Sequence, residues 1–241
     1  MVSESIAIDV AGSPMPAYLA RPDGHAALPA VIVLQEIFGV NTEVKRITDL
    51  VASAGYVGLA INYYHRTHPN LNEPYTPEGL QAGFKAAGAV TRENLRLDVA
   101  AAIGWLDAQP FVRTGTIGTW GFCFGGTAAF LSAAVPGVRA AACFYGGHIA
   151  SPLPSGEPPA LADAAKVRCP LLLAFGGKDD YITADHVAAI RSALTAAGKK
   201  FEVVVYPDQG HAFFRNSDLS LPDVGDAWRR VHAFFEEYLG T

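Results

Sequence analysis

Thr116-Ile117-Gly118-Thr119-Trp120-Gly121-Phe122-Cys123-Phe124-Gly125-Gly126 decides the fold. Its first half predicts a buried strand, and its second half runs through Gly-x-Cys-x-Gly straight into a helix of small residues. A strand that turns into a helix around one residue framed by glycines is a nucleophile elbow, with Cys123 in the position of the usual serine. The need is steric. A strained turn lifts one side chain above the sheet, and the flanking glycines let neighbouring backbone come close. A helix beginning at about Gly125 also points its partial positive end at Cys123, which favours a thiolate. A free cysteine is by default a small buried hydrophobe. Cys143, inside AACFYGG, and Cys169, before Pro170, take that reading.

Outward from the elbow, strands alternate with helices. Upstream, Ile6, Ile8 and Val10 alternate before Gly12-Ser13-Pro14, and a second short run near Ala17–Ala20 completes a predicted hairpin. Ala30–Leu34 is a continuous apolar run, as in a strand covered on both faces. Thr42 to Ala54 has a helical face at Val44, Ile47, Leu50 and Val51, stopped by Gly55, and a strand over Tyr56–Ile61 follows. Pro69, Pro74 and Pro77 break up residues 62–90, leaving a short helix near 78–88. Asn94–Ala108 is helical, with Leu95, Val99, Ala102, Ile103 and Leu106 on one face.

The elbow strand is placed at about 115–120 and its helix at 125–134. Strands near 140–145 and 170–175, a helix near 184–197, a strand at 201–206 and a helix at about 223–239 complete the chain. Ser151–Pro159 reads as a surface excursion between two strands. The pattern implies βαβ crossovers and a single three-layer α/β domain over 1–241, with a mainly parallel sheet.

Composition bounds the function. The 241 residues are 50% hydrophobic and 17% charged, enough for a sizeable core. A net charge of −5 gives a phosphate backbone no reason to bind, so nucleic acid is not an expected partner. Three cysteines are too few for a disulfide scaffold. MVSESIAIDVAGSP has neither a basic nor an apolar leader pattern, and no apolar run is long enough for a membrane span. A cytoplasmic protein with a small-molecule substrate is expected, and a monomer is favoured.

In hydrolases with this elbow the partners follow in the order nucleophile, acid, histidine. Phe175-Gly176-Gly177-Lys178-Asp179-Asp180-Tyr181-Ile182 places Asp179 just past a strand's carboxyl end, where sites in open α/β sheets gather. Asp180 remains an alternative. Tyr206-Pro207-Asp208-Gln209-Gly210-His211-Ala212-Phe213-Phe214 places His211 in the loop after the next strand. His65 and His68 lack a Cys or Glu cluster and read as surface groups rather than metal ligands. His186 and His232 fall in helices and default to structural roles. Glu36, in Leu34-Gln35-Glu36-Ile37-Phe38-Gly39, ends an apolar strand in the same crevice as the elbow, where an unpaired charge would be costly.

Gln35-Glu36-Ile37-Phe38-Gly39, the Cys123 elbow, Asp179 in Gly-x-x-Asp-x-x-Ile and Gly210-His211-x-Phe213 together resemble the dienelactone hydrolases (carboxymethylenebutenolidases) over about residues 5 to 239. The resemblance implies an α/β-hydrolase fold, no metal or cofactor, and opening of a carboxylate-bearing lactone in aromatic catabolism. It carries a triad onto Cys123, Asp179 and His211, and a thiol-regulating carboxylate onto Glu36. It also carries an oxyanion hole onto the backbone N–H groups of Ile37 and Phe124, and a substrate-carboxylate site onto Arg215. Ala212 departs from the serine expected after the histidine. A second substrate arginine is expected in 65–95, but Arg66 and Arg92 do not align and Gln81 takes the simplest match. Tyr145, in Phe144-Tyr145-Gly146-Gly147, is a further pocket candidate. A broader carboxylesterase or thioesterase on neutral acyl substrates is the competing enzyme, and a redox-sensing scaffold the competing non-enzyme.

Overall fold

The computed structural model describes residues 1–24, 26–215 and 218–240. One eight-stranded sheet in the order β1-β2-β4-β3-β5-β6-β7-β8 organises them. The strands are β1 (Val2–Val10), β2 (Ser13–Arg21), β3 (Leu28–Leu34), β4 (Val57–Ile61), β5 (Val112–Phe122), β6 (Val138–Phe144), β7 (Leu171–Gly176) and β8 (Phe201–Tyr206). β1 and β2 form an antiparallel hairpin and β2 pairs antiparallel with β4, while β4 through β8 are parallel.

The helices are α1 (Thr42–Ser53), α2 (Pro77–Ala87), α3 (Arg92–Asp107), α4 (Phe124–Ser132), α5 (Ala184–Ala196) and α6 (Pro222–Leu239). Side chains start four of them: Asn41, Thr76, Thr91 and Thr183 accept a hydrogen bond from the first-turn backbone of α1, α2, α3 and α5. Pro77 sits in the first turn of α2, where a missing N–H costs nothing. α1 and α6 pack on one face of the sheet and α3 and α4 on the other. Between them β3, β4 and β6 are almost wholly buried, which is why their sequences carry no polar alternation.

Three predicted details differ. The hairpin turns at Ala11-Gly12, both at positive φ (51° and 86°), so Ser13 and Pro14 belong to β2. Pro14 and Pro16 precede the Ala17–Ala20 stretch that pairs with β4, so their missing N–H groups break no ladder bond on that side. The elbow strand is longer than 115–120, running over Val112–Phe122 with a register shift beside Ile117. The segment after Ser151–Pro159 closes with a short 3-10 helix, Ala160–Lys166, that the sequence pattern does not announce.

Candidate active site

The elbow forms where the sequence predicts it. Cys123 has φ 55° and ψ −119°, outside the regions that ordinary L-residues favour, and its N–H donates to the Phe144 carbonyl at 3.1 Å. The glycines explain how this is tolerated. A Cβ at Gly121 would lie 1.8 Å from the Gly125 carbonyl oxygen, and one at Gly125 would lie 2.1 Å from that of Leu34. The turn is therefore pressed against the end of β3, just before the loop that carries Glu36 and Ile37.

The acid and the histidine come from adjacent parallel strands. Beyond β7, Gly177 N–H donates to the Tyr206 carbonyl (2.7 Å) and Lys178 N–H to that of Gln209 (2.8 Å), tying the two loops together. Asp179 Oδ1 accepts from the backbone N–H of Tyr181 and Ile182, at 2.8 and 3.1 Å. Its Oδ2 accepts a hydrogen bond from His211 Nδ1 at 2.7 Å, and His211 Nε2 lies 3.3 Å from Cys123 Sγ. Asp180 is exposed and has no contact with the ring among the described residues, so the geometry separates the two aspartates.

Electrostatics supports this order. Burial opposes charge on Asp179, but its hydrogen bond to His211, the imidazolium charge and the two backbone donors hold it below the usual carboxylate range. Burial likewise opposes protonation of His211, yet hydrogen bonds to Asp179 and Cys123, and their charges, raise the imidazole to about 10. A protonated ring is the partner that a thiolate needs.

Glu36 is 4% exposed, and its carboxylate is held by Arg215 rather than hydrogen-bonded to the thiol. Arg215 donates from Nε to Oε2 and from Nη2 to Oε1, both at 3.0 Å, in a bidentate pair. The guanidinium lies 4.1 Å from the centre of the Tyr75 ring and 5.4 Å from that of Phe38. Tyr63 Oη donates to the Gln35 carbonyl at 2.5 Å, fixing the stretch that leads to Glu36 and Ile37.

A cavity of about 540 Å³ opens over these groups. Cys123, His211, Ile37, Phe124 and Arg215 all reach its wall. Phe124 opens α4, where first-turn N–H groups have no intrahelical partner.

Tyr145 does not reach the wall. Its ring is 1% exposed and packs edge-on against His211 at 5.4 Å, behind the cavity. The second arginine is absent as well. Arg66 is bound to Asp98 and Arg92 to Asp163, and Gln81 is exposed outside the cavity. His65 is a correction: its side chain is fully buried between Ser13 and Asp98, not on the surface. His186 completes the cap of α5, and His232 packs on Tyr56.

Sequence reasoning missed Tyr75, Leu80, Phe84, His148 and Tyr181 on the cavity wall. The first three lie in the proline-broken stretch 62–90, whose position over the sheet no local pattern reveals. Among the described residues no group of three or more His, Cys, Asp or Glu side chains is arranged to hold a metal. Nor, among the described residues, is any helix long and apolar enough to cross a membrane.

A cysteine on an elbow, hydrogen-bonded to a histidine that is oriented by a buried aspartate, defines a hydrolase of the α/β-hydrolase type with a Cys-His-Asp triad. The model of the dienelactone hydrolase family matches residues 15–239, and the chain belongs to that family. A Synechocystis protein named "Putative carboxymethylenebutenolidase" is 35% identical over 224 residues, 92% of this chain and 91% of that protein. A Bradyrhizobium protein named "Probable 2-oxo-3-(5-oxofuran-2-ylidene)propanoate lactonase" is 33% identical over 97% of this chain and 92% of its own. Among solved structures, that titled a "Putative Dienelactone Hydrolase" from Klebsiella pneumoniae superposes with a TM-score of 0.88 at 31% identity. It covers 98% of this chain and 99% of its own. Family-level activity follows: hydrolysis of a lactone or ester at a cysteine-containing site.

Proposed function

We propose that the chain opens a carboxylate-bearing lactone of the dienelactone type, giving maleylacetate, through a thioester on Cys123. The observation that carries this reading is Arg215 on the wall of the thiol's cavity, held by the buried Glu36 behind it. A substrate carboxylate that displaces Glu36 meets the Arg215 guanidinium, a fork that can bind it bidentately. The propanoate in the Bradyrhizobium relative's name is in keeping with such a substrate.

In this mechanism the Cys123 thiolate attacks the lactone carbonyl while His211 holds the proton and Asp179 holds His211. The N–H groups of Ile37 and Phe124 stabilise the oxyanion. Collapse breaks the bond from the acyl carbon to the ring oxygen. The enol oxygen leaves with the electron pair, takes the proton and tautomerises to a ketone. Water then adds to the thioester, His211 accepts its proton, and the free acid departs as the thiol is restored. Glu36, once released by Arg215, is a second base for the thiol.

One observation favours the broader esterase: the cavity wall is largely apolar. A pair of lactones differing only in the carboxylate separates the two readings. Wild-type kcat/KM should favour the carboxylate by about 10- to 150-fold, the worth of a charge-assisted hydrogen bond of roughly 1.5–3 kcal/mol. Arg215→Ala should erase that preference. Equal rates on the two lactones would give the reaction to neutral acyl substrates.

A further inference from the structure

The cavity is larger than one lactone ring and its carboxylate require. At about 540 Å³ it lies within the ~300–1,000 Å³ range of clefts that enclose drug-sized ligands. With liquid water taking ~30 Å³ per molecule, that is room for roughly eighteen waters. What surrounds this space is not neutral filler. Pro77, Leu80 and Phe84 stand at i, i+3 and i+7 along α2, on one face of the helix, and all three line the cavity.

Beside this stripe α2 is seated through a glycine. A Cβ at Gly83 would lie 2.6 Å from the Ile37 carbonyl oxygen, so the helix rests directly on the loop that carries the proposed oxyanion amide. At 1.5 Å per residue, the stripe from Pro77 to Phe84 is ~10 Å long. A butenolide anchored through its carboxylate at Arg215 is shorter than that.

The far end of this stripe is uncovered. Phe84, at that end, is 44% exposed, and Tyr181, beside His211, 63%; both reach the cavity wall. Tyr75, at the Arg215 end, is 37% exposed. Large aromatic surfaces left open around a binding cleft mark where apolar ligand surface is expected. The charge count points the same way. Arg215 is the one arginine or lysine on the wall among the described residues, and Arg66 and Arg92, in the stretch where a second substrate arginine is expected, are committed to Asp98 and Asp163.

We infer that the substrate is a monocarboxylated lactone or enol ester carrying an apolar, ring-sized substituent, bound along Pro77, Leu80 and Phe84 with Tyr181 at the rim. This rests on the reading of Arg215 as the carboxylate site but adds a separate axis, size at the end remote from the carboxylate. Four lactones test both axes: unsubstituted and phenyl-substituted, each with and without the carboxylate. The phenyl member of each pair should be hydrolysed with kcat/KM about tenfold higher or more, the gain expected from burying a benzene-sized surface.

Phe84→Ala should lower the phenyl-to-unsubstituted ratio at least fivefold, and Leu80→Trp, which fills the cleft, should lower it further. Phe84 is partly exposed, so its truncation leaves the core intact. A wild-type enzyme that prefers the unsubstituted lactone, or a ratio that neither variant moves, overturns the inference even if the carboxylate preference stands. A strong phenyl preference without a carboxylate preference keeps the apolar subsite and overturns the carboxylate reading instead. No turnover of any of the four overturns both.

Discussion

Two hydrogen-bonded chains of similar make-up, a thiol or hydroxyl followed by a histidine and an aspartate, lie in this molecule, and one of them is a triad. At the ends of β5, β7 and β8, Cys123, His211 and Asp179 are linked at 3.3 and 2.7 Å. Beside the hairpin, Ser13 Oγ and His65 Nδ1 share a hydrogen bond of 2.9 Å, and His65 Nε2 donates to Asp98 at 3.1 Å. The second chain is inverted: the ring meets its acid through Nε2 rather than Nδ1. Arg66 also clamps both oxygens of Asp98. His65 and Asp98 have no exposed side-chain surface, while His211 keeps 20% of its own.

A hydroxyl, an imidazole and a carboxylate in sequence are therefore not enough. The first chain has a strained elbow, a cavity over the nucleophile and a helix opening at it. The second has a tight turn and no cavity. In the second position these groups join the hairpin to α3, because buried polar groups need partners.

The comparison can be broken most decisively at the nucleophiles. Cys123→Ala should lower kcat/KM by 10⁴-fold or more, on the order of what removing one triad member costs in other hydrolases. Cys143→Ala and Cys169→Ala should leave most activity in folded protein. Ser13→Ala should keep turnover within about threefold. Substantial hydrolysis by Cys123→Ala, lost on mutating Ser13, would exchange the roles of the two chains.

The acids provide the next contrast. Asp179→Asn should cost up to about 10⁴-fold in kcat, less where a thiolate needs less orientation. Asp180→Asn should cost far less. Asp98→Asn should act on stability instead, since it leaves Arg66 and His65 without their anion, and urea unfolding measures that loss. A large rate loss with Asp98→Asn and none with Asp179→Asn would show that the acid is misassigned.

These two chains also mark how far the sequence could be read. The triad was legible because each member sits in a local pattern: Gly-x-Cys-x-Gly, a strand end before Asp179, and Gly-His in the loop after the last strand. The strand and helix order followed from runs such as Ala30–Leu34 and the Leu95–Leu106 face, which local periodicity encodes directly. Ser13–His65–Asp98 was invisible, because its members are 52 and 33 residues apart and none has a flanking signature. For the same reason His65 read as a surface group. Tyr75 and Phe84 escaped because the prolines around them hide where α2 lies. Glu36 and Arg215 were each singled out, but a contact across 179 residues is a property of the fold and not of either motif.

Titration sharpens the contrast. Folding raises His211 from 6.5 to about 10, so its partners bind the protonated ring more tightly than the neutral one. The stability this contributes is fully present below about pH 6.5 and is lost as the pH rises towards and through about 10. Wild-type unfolding free energy should therefore fall across that window, and His211→Asn should flatten the fall. The measurement is urea unfolding at intervals from pH 6 to 10. A slope that His211→Asn leaves unchanged would place the linked proton elsewhere.

The smallest effect expected is the stability change in Ser13→Ala. Its hydroxyl satisfies one ring nitrogen of a histidine with no exposed side-chain surface, and removing it leaves that nitrogen buried and unpaired. Such a loss costs about 1–3 kcal/mol, against 0.5–1.5 kcal/mol for a hydrogen bond whose partners can reach water. Ser13 opens β2, directly after a turn held at positive φ, so the cost should fall mainly on the hairpin. Amide exchange in Val2–Val10 should accelerate more than exchange in β5 or β6. Uniform acceleration across the sheet would mean that His65 anchors the whole core rather than its edge. An unchanged hairpin would mean that Arg66 and Asp98 hold His65 without the hydroxyl, leaving the second chain with an acid and a base but no needed third member.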